Sequence, residues 1–284
     1  MATRRLLIRP GAIGDCILAL PELEAARFVN EPRLEGAVIK RAPQGARSSC
    51  HPDDSRLPSA STHLELWAPR PILPLIQFAD RTRAIPDTGL DLVGIANGPR
   101  ATACLRELET FDSIYSWYGS NHPEFRDAVR HLPFTFFPAQ PINVIGTPRI
   151  RVPPRPIENF AVIHPFSSSA KKNWPLDSFR DLAARLQIPV QWCVGPEEHL
   201  DDTFDQPIHI DNLYDLAGWL STARLYIGND SGITHLAAAV GVPTIAIFMT
   251  TDPRVWAPRG DHVTILENPS VDDVLAAASR SARP

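Results

Sequence analysis

The chain has 284 residues and a mass of 31.4 kDa, room for roughly two domains at about 150 residues each. Apolar residues make up 44% and charged residues 21%, which excludes a wholly disordered chain and leaves material for sizeable cores. With 28 basic and 32 acidic residues the net charge is −4 and the pI is near 6.1, so charge gives no basis for broad nucleic-acid binding.

In chain order, residues 4–9 (RRLLIR) predict a strand, PGAIGD a turn, and CILALPELEAARF a helix interrupted at Pro21. Strand, glycine-containing turn and helix open an α/β unit. A second strand is expected at Gly36–Ile39. Residues 41–62 are rich in Pro, Ser, Arg and Asp without apolar period and read as a mobile surface loop. Apolar pieces resume at His63–Trp67, Ile72–Phe78, Leu90–Ile95 and Ser113–Trp117, with helices at Pro99–Leu108 and Glu124–Leu132. Residues 138–158 are proline-rich and read as a linker, which places a domain boundary at 150/151.

The second half alternates more cleanly. Strands are expected at Phe160–Ile163, Val190–Val194, Pro207–Ile210, Leu225–Ile227, Thr244–Phe248 and Val263–Leu266. Helices are expected at Leu176–Leu186, Leu213–Leu220, Ile233–Val240 and Val271–Arg280. Strands alternating with helices of about ten residues imply parallel βαβ units, whose ligands bind outside the C-terminal strand ends.

Five short stretches follow strands and carry chemistry. In RPGAIGD, Gly11 and Gly14 permit a sharp turn and a close backbone approach. Asp15 there is either a first-turn carboxylate favoured by the helix dipole or a general base facing a cleft. HPFSSSAKKNWP (164–175) offers hydroxyls and two lysines, Lys171 and Lys172, either for an anion or as a solvated loop closed by Pro175. In YIGNDSGITHLAAAVGVPTIAIF (226–248), Asp230, Ser231 and Gly232 precede a small-residue helix. Its first N–H groups form a site for an anion or a sugar hydroxyl, and Asp230 and Ser231 are equally N-cap candidates. His235 lies on the first turn, where a structural role is the plainer alternative. GPEEH (195–199) places Glu197 or Glu198 for a ribose hydroxyl or for a solvated helix start. FMTTDP (248–253) places Thr250, Thr251 and Asp252 in the same cleft or in a cap.

There is no G-x-G-x-x-G, no G-x-x-x-x-G-K-[ST], no G-x-S-x-G and no D-x-D. Cys16, Cys50, Cys104 and Cys193 are far apart, without zinc or redox spacing, which fits reduced thiols in a cytoplasmic protein. No apolar run approaches the roughly 18 residues of a membrane span, and the basic, then apolar N-terminus is too short for a signal peptide.

In this order, RPGAIGD, HP…KKNWP and IGNDSGITHLAAAVGVPTIAIF…TDP resemble glycosyltransferase family 9, the ADP-heptose:lipopolysaccharide heptosyltransferases. The likeness covers about residues 4–27 and 160–256. It implies α/β GT-B architecture, two Rossmann-like domains with parallel sheets facing across a cleft. Residues 1–150 would take the acceptor and 151–284 the nucleotide-sugar, with the last helix packing back on the N-terminal domain. It implies inversion with Asp15 as base and Lys172, or Lys171, at the departing diphosphate. Asp230, Ser231, Gly232, His235 and Thr251 would hold donor groups, and Glu197 or Glu198 the ribose. The expected donor is ADP-heptose, and the expected acceptor is a lipopolysaccharide-core sugar or related glycan. No cofactor, metal or nucleic acid is expected, and a lipid-linked acceptor would require peripheral contact with the inner membrane face. Two alternatives stay open: a nucleotide-sugar binder without turnover, and a GT-B-type sugar-nucleotide epimerase.

Overall fold

The computed structural model describes residues 3–27, 62–138, 146–201, 203–204 and 206–282. The strand expected at Gly36–Ile39, the stretch 41–61 and Cys50 lie outside these residues. The chain forms two compact units. One takes in Met1–Arg9, Ala25–Ala68 and Phe78–Asn143; the other takes in Pro10–Glu24, Pro69–Gln77 and Val144–Pro284. The passage at 143/144 falls within the proline-rich stretch. Because two earlier segments group with the second unit, the division is not a single cut at 150.

The first unit holds a five-stranded parallel sheet of β1 (Thr3–Ile8), β2 (Thr62–Ala68), β3 (Arg81–Ala84), β4 (Ser113–Ser116) and β5 (Phe134–Phe136), in the order β3-β2-β1-β4-β5. The C-terminal parts of β1 and β2, Leu6–Ile8 and Leu66–Ala68, are buried apolar runs, as expected where both faces of a parallel sheet are covered. Leu6, Ile8, Trp67 and Ile114 from the sheet form a core with Leu90, Cys104, Leu108 and Phe125. The edge strands β3 (RTRA) and β5 (FTF) are absent from the sequence reading. The charged side chains of β3 give it no burial pattern, and charges are how proteins blunt such edges; β5 is only three residues long, too short to show a period. Ile72–Phe78 contains the end of a 3-10 turn, Arg70–Leu75, shaped by Pro71 and Pro74, and Leu90–Leu92 is another. Helix α1 spans Ile13–Ala25 and continues through Pro21 at the loss of one backbone bond. Helices α2 (Ile85–Thr88), α3 (Pro99–Leu108) and α4 (Pro123–Ala128) complete this half of the chain, α4 ending four residues before the expected Leu132.

The second unit repeats the plan with β6 (Ala161–His164), β7 (Val190–Trp192), β8 (Leu225–Asn229), β9 (Thr244–Phe248) and β10 (Val263–Glu267), parallel in the order β10-β9-β8-β6-β7. Its helices are α5 (Leu176–Arg185), α6 (Leu213–Leu220), α7 (Gly232–Ala239), α8 (Pro253–Trp256) and α9 (Val271–Ser281). The strand expected at Pro207–Ile210 reduces to one bridge between Cys193 and Ile208. The last helix, expected to return to the N-terminal domain, packs in its own unit on α5, β9 and β10. Its stripe of Val274, Ala277 and Ala278 is buried in that unit's core, and Asp272 pairs with Arg185 of α5. Among the described residues no helix is long and apolar enough to cross a membrane.

Candidate functional site

The site is built at the C-terminal ends of β6, β8 and β9. Asn229 ends β8 with its side chain fully buried. Its Oδ1 accepts from Trp174 N at 2.8 Å, and its Nδ2 donates to Pro165 O at 2.7 Å. These bonds fix both ends of the 164–175 loop against β8, as a buried amide must be satisfied to be tolerated. Trp174 Nε1 donates to Pro269 O at 3.0 Å, and its ring joins the core. Lys172, at the end of a 3-10 turn in that loop, is thereby aimed inward, and Lys171 is exposed.

Lys172 Nζ lies 2.9 Å from Asp230 Oδ2. Thr251 Oγ1, in the loop after β9, donates to the same oxygen at 2.8 Å. Asp230 is 6% exposed. One buried carboxylate thus holds a lysine and a threonine beside the start of α7. A partly buried charge-assisted pair of this kind is ordered and poorly screened by salt.

Ser231 is the N-cap of α7. Its Oγ accepts from Thr234 N at 3.3 Å. Of the two readings of Asp230-Ser231, the cap belongs to Ser231 and the ion pair to Asp230. The N–H groups of Gly232 and Ile233 have no partner within the helix, because the first turn lies beyond the reach of i−4 carbonyls. Lys172 therefore stands beside the positive end of α7.

The first turn of α1 packs on the first turn of α7, within the second unit. A Cβ at Gly232 would come 2.7 Å from Ile13 Cβ, and one at Gly14 would come 2.8 Å from His235 Cδ2. Both contacts require glycine. Asp15, the next residue, is partly exposed, and its Oδ2 accepts from Ala12 N at 3.3 Å. This is half of a capping box, from the third helical position back to the cap. Gly11 has φ +128°, a region that disfavours side chains, and a Cβ there would meet Asp15 Oδ2 at 3.2 Å.

His235 is buried against Gly14, and among the described residues its Nδ1 has no hydrogen-bond partner. Burial pushes its pKa down from 6.5 to about 4, with Asp230 opposing and Lys172 reinforcing the shift. The imidazole is neutral at physiological pH.

Glu198 is half-buried and turns back toward the sheet. Its Oε2 lies 2.9 Å from His164 Nε2 and accepts from Gly195 N at 2.6 Å. Burial acts to raise its pKa, but the bond and charge of His164 and the Gly195 N–H outweigh it and hold the carboxyl below its usual range. Glu197 is exposed. His164, Thr234 and Tyr226 do not stand out in the sequence. His164 opens the HPFSSSAKKNWP stretch, whose hydroxyls and lysines are the more conspicuous groups. Its only sequence signal was its place at a strand end.

Thr251 also lines a cavity of about 590 Å³ with Phe248, Met249, Thr250, Asp252 and Arg254. Asp252 caps α8 and pairs with Arg254. A larger cavity of about 780 Å³ in the first unit, along Gly94–Gly98 and α3, is lined by none of the residues singled out from sequence. Among the described residues no group of three or more His, Cys, Asp or Glu side chains is arranged to hold a metal ion.

Comparison with known proteins agrees with this fold. A family model described as Glycosyltransferase family 9 (heptosyltransferase) matches residues 210–274. Lipooligosaccharide heptosyltransferase 2 of Haemophilus influenzae is 36% identical over 55 residues, 19% of this chain and 16% of that protein's length. In structure, a glycosyl transferase family 9 protein from Veillonella parvula superposes with a TM-score of 0.64 at 16% identity, covering 98% of this chain and 96% of the other. The E. coli ADP-heptose lps heptosyltransferase II gives 0.65 at 13% identity, covering 98% of each chain. The two parallel five-stranded sheets with flanking helices thus have GT-B architecture. In sequence over residues 210–274, and in fold over nearly its full length, the chain is similar to the heptosyltransferases of glycosyltransferase family 9.

Proposed function

We propose that the protein is an inverting glycosyltransferase that moves a heptose from ADP-heptose to a lipopolysaccharide-core or related glycan acceptor. The observation that carries the reading is the Lys172–Asp230 pair beside the start of α7, against which the Asp15-bearing turn of α1 packs. In support, a structurally similar E. coli heptosyltransferase is known with ADP-2-deoxy-2-fluoro heptose, at a TM-score of 0.58 and 14% identity over 98% of each chain.

In this reading the C-terminal half takes the donor and the N-terminal half the acceptor. An acceptor hydroxyl oxygen attacks the anomeric carbon. The bond from that carbon to the diphosphate oxygen breaks, and its electron pair leaves with ADP. Asp15 takes the hydroxyl proton, a role worth about 10²–10⁴-fold. Lys172 and the first N–H groups of α7 face the charge that develops on the diphosphate, work otherwise given to a metal ion. Asp230, Ser231, Gly232 and Thr251 hold the diphosphate and sugar hydroxyls, with His235 beside them, and Glu198 holds the ribose. The proposed setting is the cytoplasm, with a lipid-linked acceptor met at the inner membrane face.

The test is ADP release from ADP-heptose with heptose-deficient lipopolysaccharide core, with and without EDTA. Release that depends on acceptor and survives EDTA is expected. Acceptor-independent loss of donor would point to the epimerase, and ADP-heptose binding without release to a binder.

A further inference from the structure

His164 ends β6 and is 2% exposed, with both ring nitrogens engaged. Nε2 lies 2.9 Å from Glu198 Oε2, and Nδ1 lies 3.3 Å from Ser231 Oγ. Three hydroxyls lie beyond it, those of Ser231, Thr234 and Tyr226. Thr234 Oγ1 donates to Asn229 O at 2.5 Å, so its one proton is committed. Tyr226 OH, 3.1 Å away and fully buried, then donates to Thr234 Oγ1. Ser231 Oγ accepts from Thr234 N, and its one proton faces two acceptors, Thr234 Oγ1 at 3.1 Å and His164 Nδ1 at 3.3 Å. The Glu198 carboxylate, held ionised, can only accept, so Nε2 carries the ring proton and donates it in a charge-assisted hydrogen bond, which leaves Nδ1 to face Ser231 Oγ.

We propose that His164 is a positioning residue that ties Glu198 to the N-terminus of α7. Glu198 and Ser231 are 33 positions apart, and no other bond among the described residues joins them. This rests on the donor reading above, in which Glu198 meets the ribose and the α7 turn meets the diphosphate. A rigid donor needs those two contacts at a fixed separation, and the imidazole sets it. With Oε2 held by His164 and Gly195 N, Oε1 is the oxygen left to face the nucleotide.

The test is ADP affinity by calorimetry, with kcat and donor KM alongside, for wild type, His164→Phe, His164→Gln, Glu198→Gln and the double variant His164→Phe/Glu198→Gln. His164→Phe keeps the ring volume without polar atoms; His164→Gln keeps a donor near the Nε2 position. Phe is expected to weaken ADP binding about tenfold, one lost charge-assisted bond, and to raise donor KM with kcat within about twofold. Gln recovers most of that loss. The double variant is expected to be no weaker than the worse single one, because both remove the same contact. If the single effects multiply instead, or if folded His164→Phe binds ADP like wild type, the positioning role is overturned while the donor reading stands. If wild type binds no ADP, the donor reading falls and takes this role with it. Should the His164 variants not fold, imidazole ¹⁵N shifts of the wild type decide. Protonation at Nε2 is required, and protonation at Nδ1 alone overturns the proposal.

Discussion

Lys172 and Asp230 lie 58 positions apart in sequence, yet their charged atoms are 2.9 Å apart, and Asp230 is almost wholly buried. Neither can be changed without consequence for the other. Lys172→Met leaves the carboxylate with Thr251 as its remaining side-chain partner and removes the cation from the start of α7. Expected outcomes are a kcat lower by about 10²–10³-fold and a stability loss of about 1–3 kcal/mol. Asp230→Asn frees the lysine, and donor KM should rise. ADP release and thermal melts of both variants check this.

Asp15 separates folding from chemistry. Asp15→Asn keeps an oxygen for Ala12 N, so Tm should stay near wild type. It removes the basic carboxylate, so acceptor-dependent ADP release should fall by about 10²–10⁴-fold. Asp15→Ala should lose the same activity and in addition about 0.5–2 kcal/mol of stability through the lost cap contact. A fully active Asp15→Asn would remove this residue as the base.

The contact between the first turns of α1 and α7 leaves no room for a methyl group. Glycine to alanine in a helix normally stabilises by up to about 1 kcal/mol. At Gly14 the new Cβ meets His235 Cδ2 at 2.8 Å, and at Gly232 it meets Ile13 Cβ at 2.7 Å. The clash should win. Gly14→Ala and Gly232→Ala are each expected to lose about 1–3 kcal/mol. ADP release should fall with them, because the turn that carries Asp15 is displaced. Denaturant melts and turnover measure both effects.

His235 sets a pH window for stability. The unfolded chain protonates it near 6.5, and the folded protein near 4. Between those values the unfolded state binds more protons, so stability falls as pH drops from 6.5 toward 4, by about 3 kcal/mol at most. Asp230 and Lys172 are the charged groups acting on the ring, with opposite signs. His235→Phe keeps a ring against Gly14 and should flatten the dependence of Tm on pH in that window. An unchanged slope would assign it to other groups.

Much of the second unit is legible in its sequence. Leu213–Leu220 is a helix over the expected residues, and β8, α7 and β9 lie within YIGNDSGITHLAAAVGVPTIAIF. Apolar runs, a polar turn and small residues leave few other local solutions. β3 is not legible. Its RTRA is held by pairing with β2 and by Arg83–Glu107, a partner 24 residues away. The strand expected at 207–210 failed for the converse reason. Its residues suit a strand, but only Ile208 finds a neighbour, at Cys193.

The candidate residues divide the same way. Sequence placed Lys172, Asp230, Ser231, Gly232 and Asp15 at strand ends and helix starts, because turn chemistry and period are local properties. Which lysine turns inward was decided by Asn229, which pins the 164–175 loop through Trp174 N and Pro165 O. That Glu198 answers to His164, and that the first turn of α1 rests on α7, were decided by folding alone. Residue periodicity and turn chemistry fix the backbone path within about a dozen residues. A partner 34 or 58 positions away is chosen by which strands become neighbours, and only the packed sheet settles that.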